Sequence, residues 1–265
     1  MLRPLCIALL GLLLTWRALA EDAFSIGGDA DFPPSSWSYR DQLHGVGPTL
    51  VRAALQERGL ESRVDPRLPW QRALLMLQQG ELDILTSVYR TPEREAVLRF
   101  VPEPYLDDRI EVWITRQPQP AVSALDQLRG KRGLMIIGYS GGQQFDRWAQ
   151  QQPLSIQRVS SIAQCFAMLR AGRADYLIYS RQVGEAWVKR LGYEQQFSTL
   201  AEAVAIEPLF IAVSPKPEHA WLVDYLGQKI RQYKRSGRLD GWLQQELARF
   251  RQQGEDEPLD PAPTR

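Results

Sequence analysis

Met76-Leu77-Gln78-Gln79-Gly80-Glu81-Leu82-Asp83-Ile84-Leu85 is echoed by Met168-Leu169-Arg170-Ala171-Gly172-Arg173-Ala174-Asp175-Tyr176-Leu177, in the pattern M-L-x-x-G-x-x-D. Each copy reads as the end of a helix, a glycine able to take the left-handed conformation that caps it, and a short buried strand. A strand–helix unit precedes each copy: 25–28 with 50–58 before the first, 134–137 with 143–149 before the second. Two such βαβ halves predict an α/β protein of two lobes, each a mostly parallel sheet flanked by helices. Between the halves, 110–115 is a β-rich run leading to the polar, Pro-containing 117–120. After the second half, 209–213 is another, ended by Pro215 and Pro217. These two runs are the expected crossings of a hinge. Residues 221–234 and 241–250 read as closing amphipathic helices, and 254–265 as an acidic, Pro-rich disordered tail. Asp83 and Asp175 repeat beside a capping glycine, which favours a structural role over a catalytic one.

The first twenty residues read as a secretory signal peptide. Arg3 supplies the positive start, 5–16 the apolar core, and Ala18-Leu19-Ala20 the small-x-small cleavage site. The apolar run is short for a bilayer and is broken by Arg17. An exported, periplasmic chain beginning at Glu21 is expected. Of 32 basic side chains, Arg3 and Arg17 lie in the leader, which leaves a net charge of about −1 against 31 acidic ones. That balance, without a basic cluster interleaved with aromatics, gives no push toward nucleic acid. Cys6 also leaves with the leader, so Cys165 has no disulfide partner and reads as core. His44 and His219 are far apart, nothing has metal-ligand spacing, and no cofactor is expected.

The segment from Trp70 to Tyr105 holds the sharpest functional signal. Leu74, Leu75 and Leu77 form the apolar face of a helix that stops at Gly80. Residues 82–85 make a strand, and Thr86-Ser87-Val88-Tyr89-Arg90 a polar loop. Thr91 is a good N-cap and Pro92 suits the first helical position. Arg94 then falls in the first turn, near the positive end of the helix dipole, where cations are disfavoured. An anion held by Arg94, free backbone N–H groups and the Thr86 and Ser87 hydroxyls would resolve the conflict. The alternative is an exposed arginine paired with Glu93 or Glu95.

Gly138-Tyr139-Ser140-Gly141-Gly142 matches a G-x-S-x-G nucleophile elbow between a strand and a helix. A hydrolase needs a histidine base, and only His219 lies downstream, in the other half of the chain. Glycines that let backbone N–H groups approach a ligand explain the same loop, as does a plain turn. Phe32, fixed by Pro33-Pro34 after a strand end, stands where α/β folds place ligands. Trp70, after Pro69, reads as cleft lining or core, and Asp29 as a site residue or a turn cap.

Gly28-Asp29-x-x-Phe32-Pro33-Pro34, Gly80-x-x-Asp83, Thr91-Pro92-Glu93-Arg94, Phe100-x-x-x-Pro104-Tyr105, Leu128-x-Gly130-Lys131-Arg132, Gly172-Arg173-x-Asp175 and Gly237-x-x-x-x-Trp242 follow one another along the chain. In order and spacing they resemble the family 3 periplasmic solute-binding proteins, receptors of ABC importers for polar amino acids. The resemblance implies the two-lobe, type II periplasmic binding protein fold. Lobe 1 would comprise 21–112 and 207–253, lobe 2 would comprise 113–206, and two hinge strands would close the cleft on a small solute. It implies that Arg94 grips the α-carboxylate and that Thr86, Ser87 and Tyr89 add contacts. Phe32 and Trp70 would sandwich the ligand side chain, and Ser140 and Ser180 would complete the closed site.

One position departs from the family pattern. Where amino-acid binders hold the ammonium with an aspartate, this chain has Ser180, followed by Arg181. A hydroxyl cannot balance a desolvated ammonium. Either Asp29 or Glu185 substitutes, or the ligand lacks an α-amine. The expected partners are a small-molecule ligand and a membrane permease of an ABC importer, or else a membrane sensor, with the binding protein a monomer. No enzymatic activity is expected. The alternative on this fold, a small-acid dehydratase, would rely on Glu185.

Overall fold

A computed structural model describes residues 23–65, 68–116 and 122–256. The leader, the 117–120 connection and residues 257–265 of the expected tail lie outside the described residues. The sequence echo is an echo in structure. Helix α2 (Trp70–Gln79) stops at Gly80, whose φ of 75° is left-handed. Helix α5 (Ile162–Arg170) is followed by Gly172 at φ 64°. Strands β6 (Ile84–Tyr89) and β11 (Tyr176–Ser180) come next. The two repeated aspartates do the same job. Asp83 accepts from the Ser25 N–H (2.9 Å) and hydroxyl (2.7 Å), fastening β1 (Phe24–Gly27). Asp175 accepts from the Arg132 N–H (2.7 Å), fastening β9 (Arg132–Ile136). Both carboxylates are structural.

β1 lies parallel between β6 and β5 (Ser62–Val64), and β9 lies parallel between β11 and β10 (Ser155–Val159). The two parallel halves are joined through β8 (Leu106–Thr115) and β13 (Ala205–Val213), which pair antiparallel with Glu207 opposite Asp108. The ladder β10-β9-β11-β8-β13-β6-β1-β5 is therefore unbroken from one half to the other. β7 (Arg99–Phe100) and β12 (Phe197–Thr199) attach to its middle.

Helix α1 (Val46–Glu57) buries Leu50, Val51, Ala54 and Leu55. Helix α4 (Gln143–Gln150) follows the glycine loop, and α6 (Arg181–Arg190) follows β11. The closing helices are α7 (Ala220–Arg235) and α8 (Arg238–Asp256). α8 runs past Gly254, two residues beyond the expected start of the tail. It packs on α1, α7 and α6, with Phe250 edge-on to Trp37 at 5.2 Å and to Trp187 at 6.1 Å. Buried Glu246 accepts from Trp37 Nε1 (3.2 Å) and the Gly45 N–H (3.1 Å).

Three local expectations change. A small sheet of β2 (Asp31–Phe32), β3 (Ser36–Tyr39) and β4 (Gln42–His44) stands along the chain between β1 and α1, in a stretch assigned no strand above. Thr86 to Tyr89 form strand rather than loop. All four are buried, Val88 and Tyr89 pair with Phe210 and Leu209 of β13, and Ser87, at φ 66°, sits where that register shifts. Leu75 is 50% exposed, and Ala73 and Leu77 form the buried face of α2.

Candidate ligand-binding cleft

Three elements of the first half place Arg94. The bulged end of β6 turns at Arg90, and the Thr91 hydroxyl caps the single turn α3 (Pro92–Glu95) by accepting from the Arg94 N–H (3.4 Å). The guanidinium then reaches inward. Arg94 Nη1 donates to the Tyr89 carbonyl (2.9 Å), and Nη2 crosses to the Gly138 carbonyl of the other half (3.2 Å). Its carbon lies 5.7 Å over the Trp70 ring at the start of α2. Glu95 pairs with Arg90, and among the described residues Arg94 is bonded to no carboxylate. Burial pulls its pKa below the usual value, opposed by the Tyr89, Asp146 and Glu93 side chains. The conflict in the first turn is met by two carbonyl oxygens and an aromatic face, which leaves the guanidinium without a bonded carboxylate among the described residues.

Arg94, Trp70, Ser87, Tyr89, Phe32, Asp29 and Ser140 line one cavity together with Tyr139. With Tyr139 in place, that cavity holds about 10 Å³. A second space of about 270 Å³ adjoins it, where Asp29, Trp70 and Tyr139 are joined by Asp31, Tyr179 and Ser161. Asp29 is 6% exposed. It accepts from the Asp31 N–H (2.9 Å) and from the Tyr139 hydroxyl. Burial raises its carboxyl to about 7; the Tyr139 hydrogen bond opposes the rise and the Asp31 charge adds to it. Burial also raises Asp31, against the pull of Arg190. The cleft thus brings together a cation, the buried acid Asp29, the half-buried acid Asp31 and several aromatic rings.

Two predicted site residues are committed to protein groups instead of lining this cavity. Thr86 donates to the Gly27 carbonyl (3.2 Å). Ser180 caps α6 and donates to Asp108 Oδ1 (2.6 Å), while Tyr89 donates to the other Asp108 oxygen. Burial raises Asp108 to about 6, with the Ser180 and Tyr89 hydrogen bonds opposing and the Glu207 charge adding. A carboxylate therefore stands beside Ser180 after all, delivered by the hinge strand β8. Glu185 pairs with Arg181 (2.9 Å), its side chain 57% exposed.

Ser140 donates to Asp146 and accepts from the Gly142 N–H (3.0 Å), whereas His219 is bonded to Ser214 (2.7 Å) and packs beside Phe24. The serine and the histidine of the hydrolase reading belong to separate networks. Cys165 is buried and free. Among the described residues no group of histidine, cysteine and carboxylate side chains could hold a metal ion.

The sequence matches the bacterial extracellular solute-binding proteins, family 3, over residues 24–255. The chain belongs to that family. No curated protein matches its sequence. The fold of this solute-binding protein is similar to that of a mutant of ArgBP from T. maritima, with TM-score 0.74 and 20% identity over 88% of this chain and 98% of the other. The amino acid ABC transporter substrate-binding protein AbpA from Streptococcus pneumoniae, bound to L-arginine, gives TM-score 0.74 and 18% identity over 87% and 97%. A histidine kinase sensor domain with similarity to periplasmic binding proteins gives 0.72 and 21% over 85% and 96%. At these identities the likeness is one of fold, the type II periplasmic binding protein fold. Among the described residues no helix is long and apolar enough to cross a membrane.

Proposed function

We propose that this solute-binding protein captures a small carboxylate-bearing solute, an amino acid or a relative, and delivers it to the permease of an ABC importer. The observation that carries the reading is the Arg94 guanidinium, bonded to carbonyls alone and held against Trp70 within the cleft. Such a group forms a bidentate pair with a carboxylate. Asp29 takes the ligand's amine in place of the second-lobe aspartate of amino-acid binders, and Phe32 and Trp70 flank the side chain. The two lobes, 21–112 with 207–253 and 113–206, close about β8 and β13.

Export across the inner membrane with cleavage after Ala20, and a monomeric state, belong to the same proposal. The arginine-bound neighbour favours a cationic amino acid as the first candidate. The kinase sensor domain favours a second reading, in which the same cleft reports its solute to a membrane signalling protein. Identifying the membrane partner separates the two readings.

Thermal-shift screening of amino acids, polyamines and carboxylic acids tests the proposal. A ligand at a hundred times Kd adds about 2.7 kcal/mol to the stability of the native state. Arg94→Ala is expected to remove most of that shift while the protein stays folded. A shift that survives the substitution undiminished overturns the assignment.

A further inference from the structure

Tyr139 stands among Asp29, Phe32 and Trp70 in the cleft. Its hydroxyl donates to Asp29 across the cleft. Its ring stacks on Tyr179 at 5.9 Å with the planes 17° apart, and meets Phe32 at 6.0 Å and Trp70 at 6.2 Å edge-on. The loop that carries it is fastened on both sides. Arg158 Nη1 donates to the Tyr139 carbonyl (2.6 Å) and the Ile136 carbonyl (3.2 Å), and Arg94 holds the Gly138 carbonyl. Tyr139 lines both the space of about 10 Å³ beside Arg94 and the space of about 270 Å³ beside Asp31. The smaller space has room for about one water. An amino acid cannot reach Arg94 until Tyr139 moves.

We propose that Tyr139 is an internal competitor for the ligand: it latches the two lobes through Asp29 and the aromatic slot, and a solute binds only by displacing it. Displacement strips the buried Asp29 carboxyl of one of its two donors and leaves Oδ2 unsatisfied, which is costly. A solute that returns a donor to Asp29, such as an ammonium or a guanidinium, recovers that loss, and a simple carboxylate does not. The latch lowers every solute's affinity by the same factor, the fraction of molecules with the cleft open. That uniform penalty does not discriminate; selectivity comes from the donor that a ligand returns to Asp29. This consequence rests on reading the cleft as the ligand site; the latch itself does not.

Small-angle X-ray scattering of protein freed of solute by unfolding and refolding tests the latch without any ligand. The wild type is expected to scatter as a compact, closed particle. Tyr139→Phe, which keeps the ring and loses the donor, and Tyr139→Ala are expected to give a larger radius of gyration with unchanged circular dichroism. Identical scattering from all three, open or closed, overturns the latch. Calorimetry with L-arginine and L-glutamine as probes supplies the second arm. At about pH 8, where Asp29 is ionised, either probe that binds the wild type should bind Tyr139→Phe roughly 10- to 100-fold more tightly, the worth of a hydrogen bond to a charged group. Weaker binding by Tyr139→Phe would instead make the hydroxyl a direct ligand contact, and would also overturn the latch. If scattering changes but L-arginine binds no form, the latch stands and the assignment to cationic amino acids fails.

Discussion

Replacing Asp29 with asparagine should change how stability depends on pH. Burial raises the Asp29 carboxyl from 3.8 to about 7, in spite of the Tyr139 hydrogen bond. Between those values the folded protein holds a proton that the unfolded chain has released. Unfolding free energy therefore falls as pH rises through the window: the contribution is complete below about pH 4 and is lost by about pH 7. A shift of about three pKa units at 1.36 kcal/mol each corresponds to about 4 kcal/mol. Asparagine has no proton to exchange, and its amide oxygen still accepts from the Tyr139 hydroxyl. Urea unfolding of both proteins from about pH 4 to about pH 8 reads the gap between them. Asn-substituted protein should gain about 4 kcal/mol on the wild type across that range. The other raised acids, Asp31, Asp108 and Glu207, are common to both proteins and largely cancel in the difference. A gap that stays constant with pH would refute the reasoning, because it would mean that Asp29 is hydrated in the dominant solution conformation.

Two further substitutions test the frame that holds the cleft. Glu246→Ala leaves the Trp37 indole and the Gly45 N–H without their acceptor inside the core and should lower urea-measured stability by about 3 kcal/mol. Gly172→Ala places a side chain at φ 64° with nothing within 4 Å of the new methyl, so the loss should be that of the backbone alone, about 1 kcal/mol.

The architecture was legible because it is written twice. The repeated glycine and aspartate mark the same strand-fastening corner in each half, and hydrophobic periodicity supplies the elements around it. The site was legible where a local rule was under tension, as at Arg94, or where prolines fixed a strand end, as at Phe32. It was not legible where neighbours come from elsewhere in the chain. Thr86-Ser87 look like loop because their polarity is answered by the Gly27 carbonyl and by Ser35 and Tyr105, none of them adjacent. Asp108 carries no motif, and only the pairing of β8 with β11 brings it to Ser180. Tyr139 stood inside a glycine motif that drew attention to its serine. The useful signal was an aromatic at the tip of a loop expected to face the cleft.

The unbroken ladder through β8 and β13 bears on how such a molecule can move. A joint made of separate connectors can swivel freely, whereas one made of paired strands behaves like a leaf spring, flexing across its width and resisting shear along its length. Each stroke keeps the main-chain registry at the fulcrum. Closure about such a joint would carry the rims along one arc and bring the Arg94 guanidinium back to the Gly138 carbonyl that it holds in this structure.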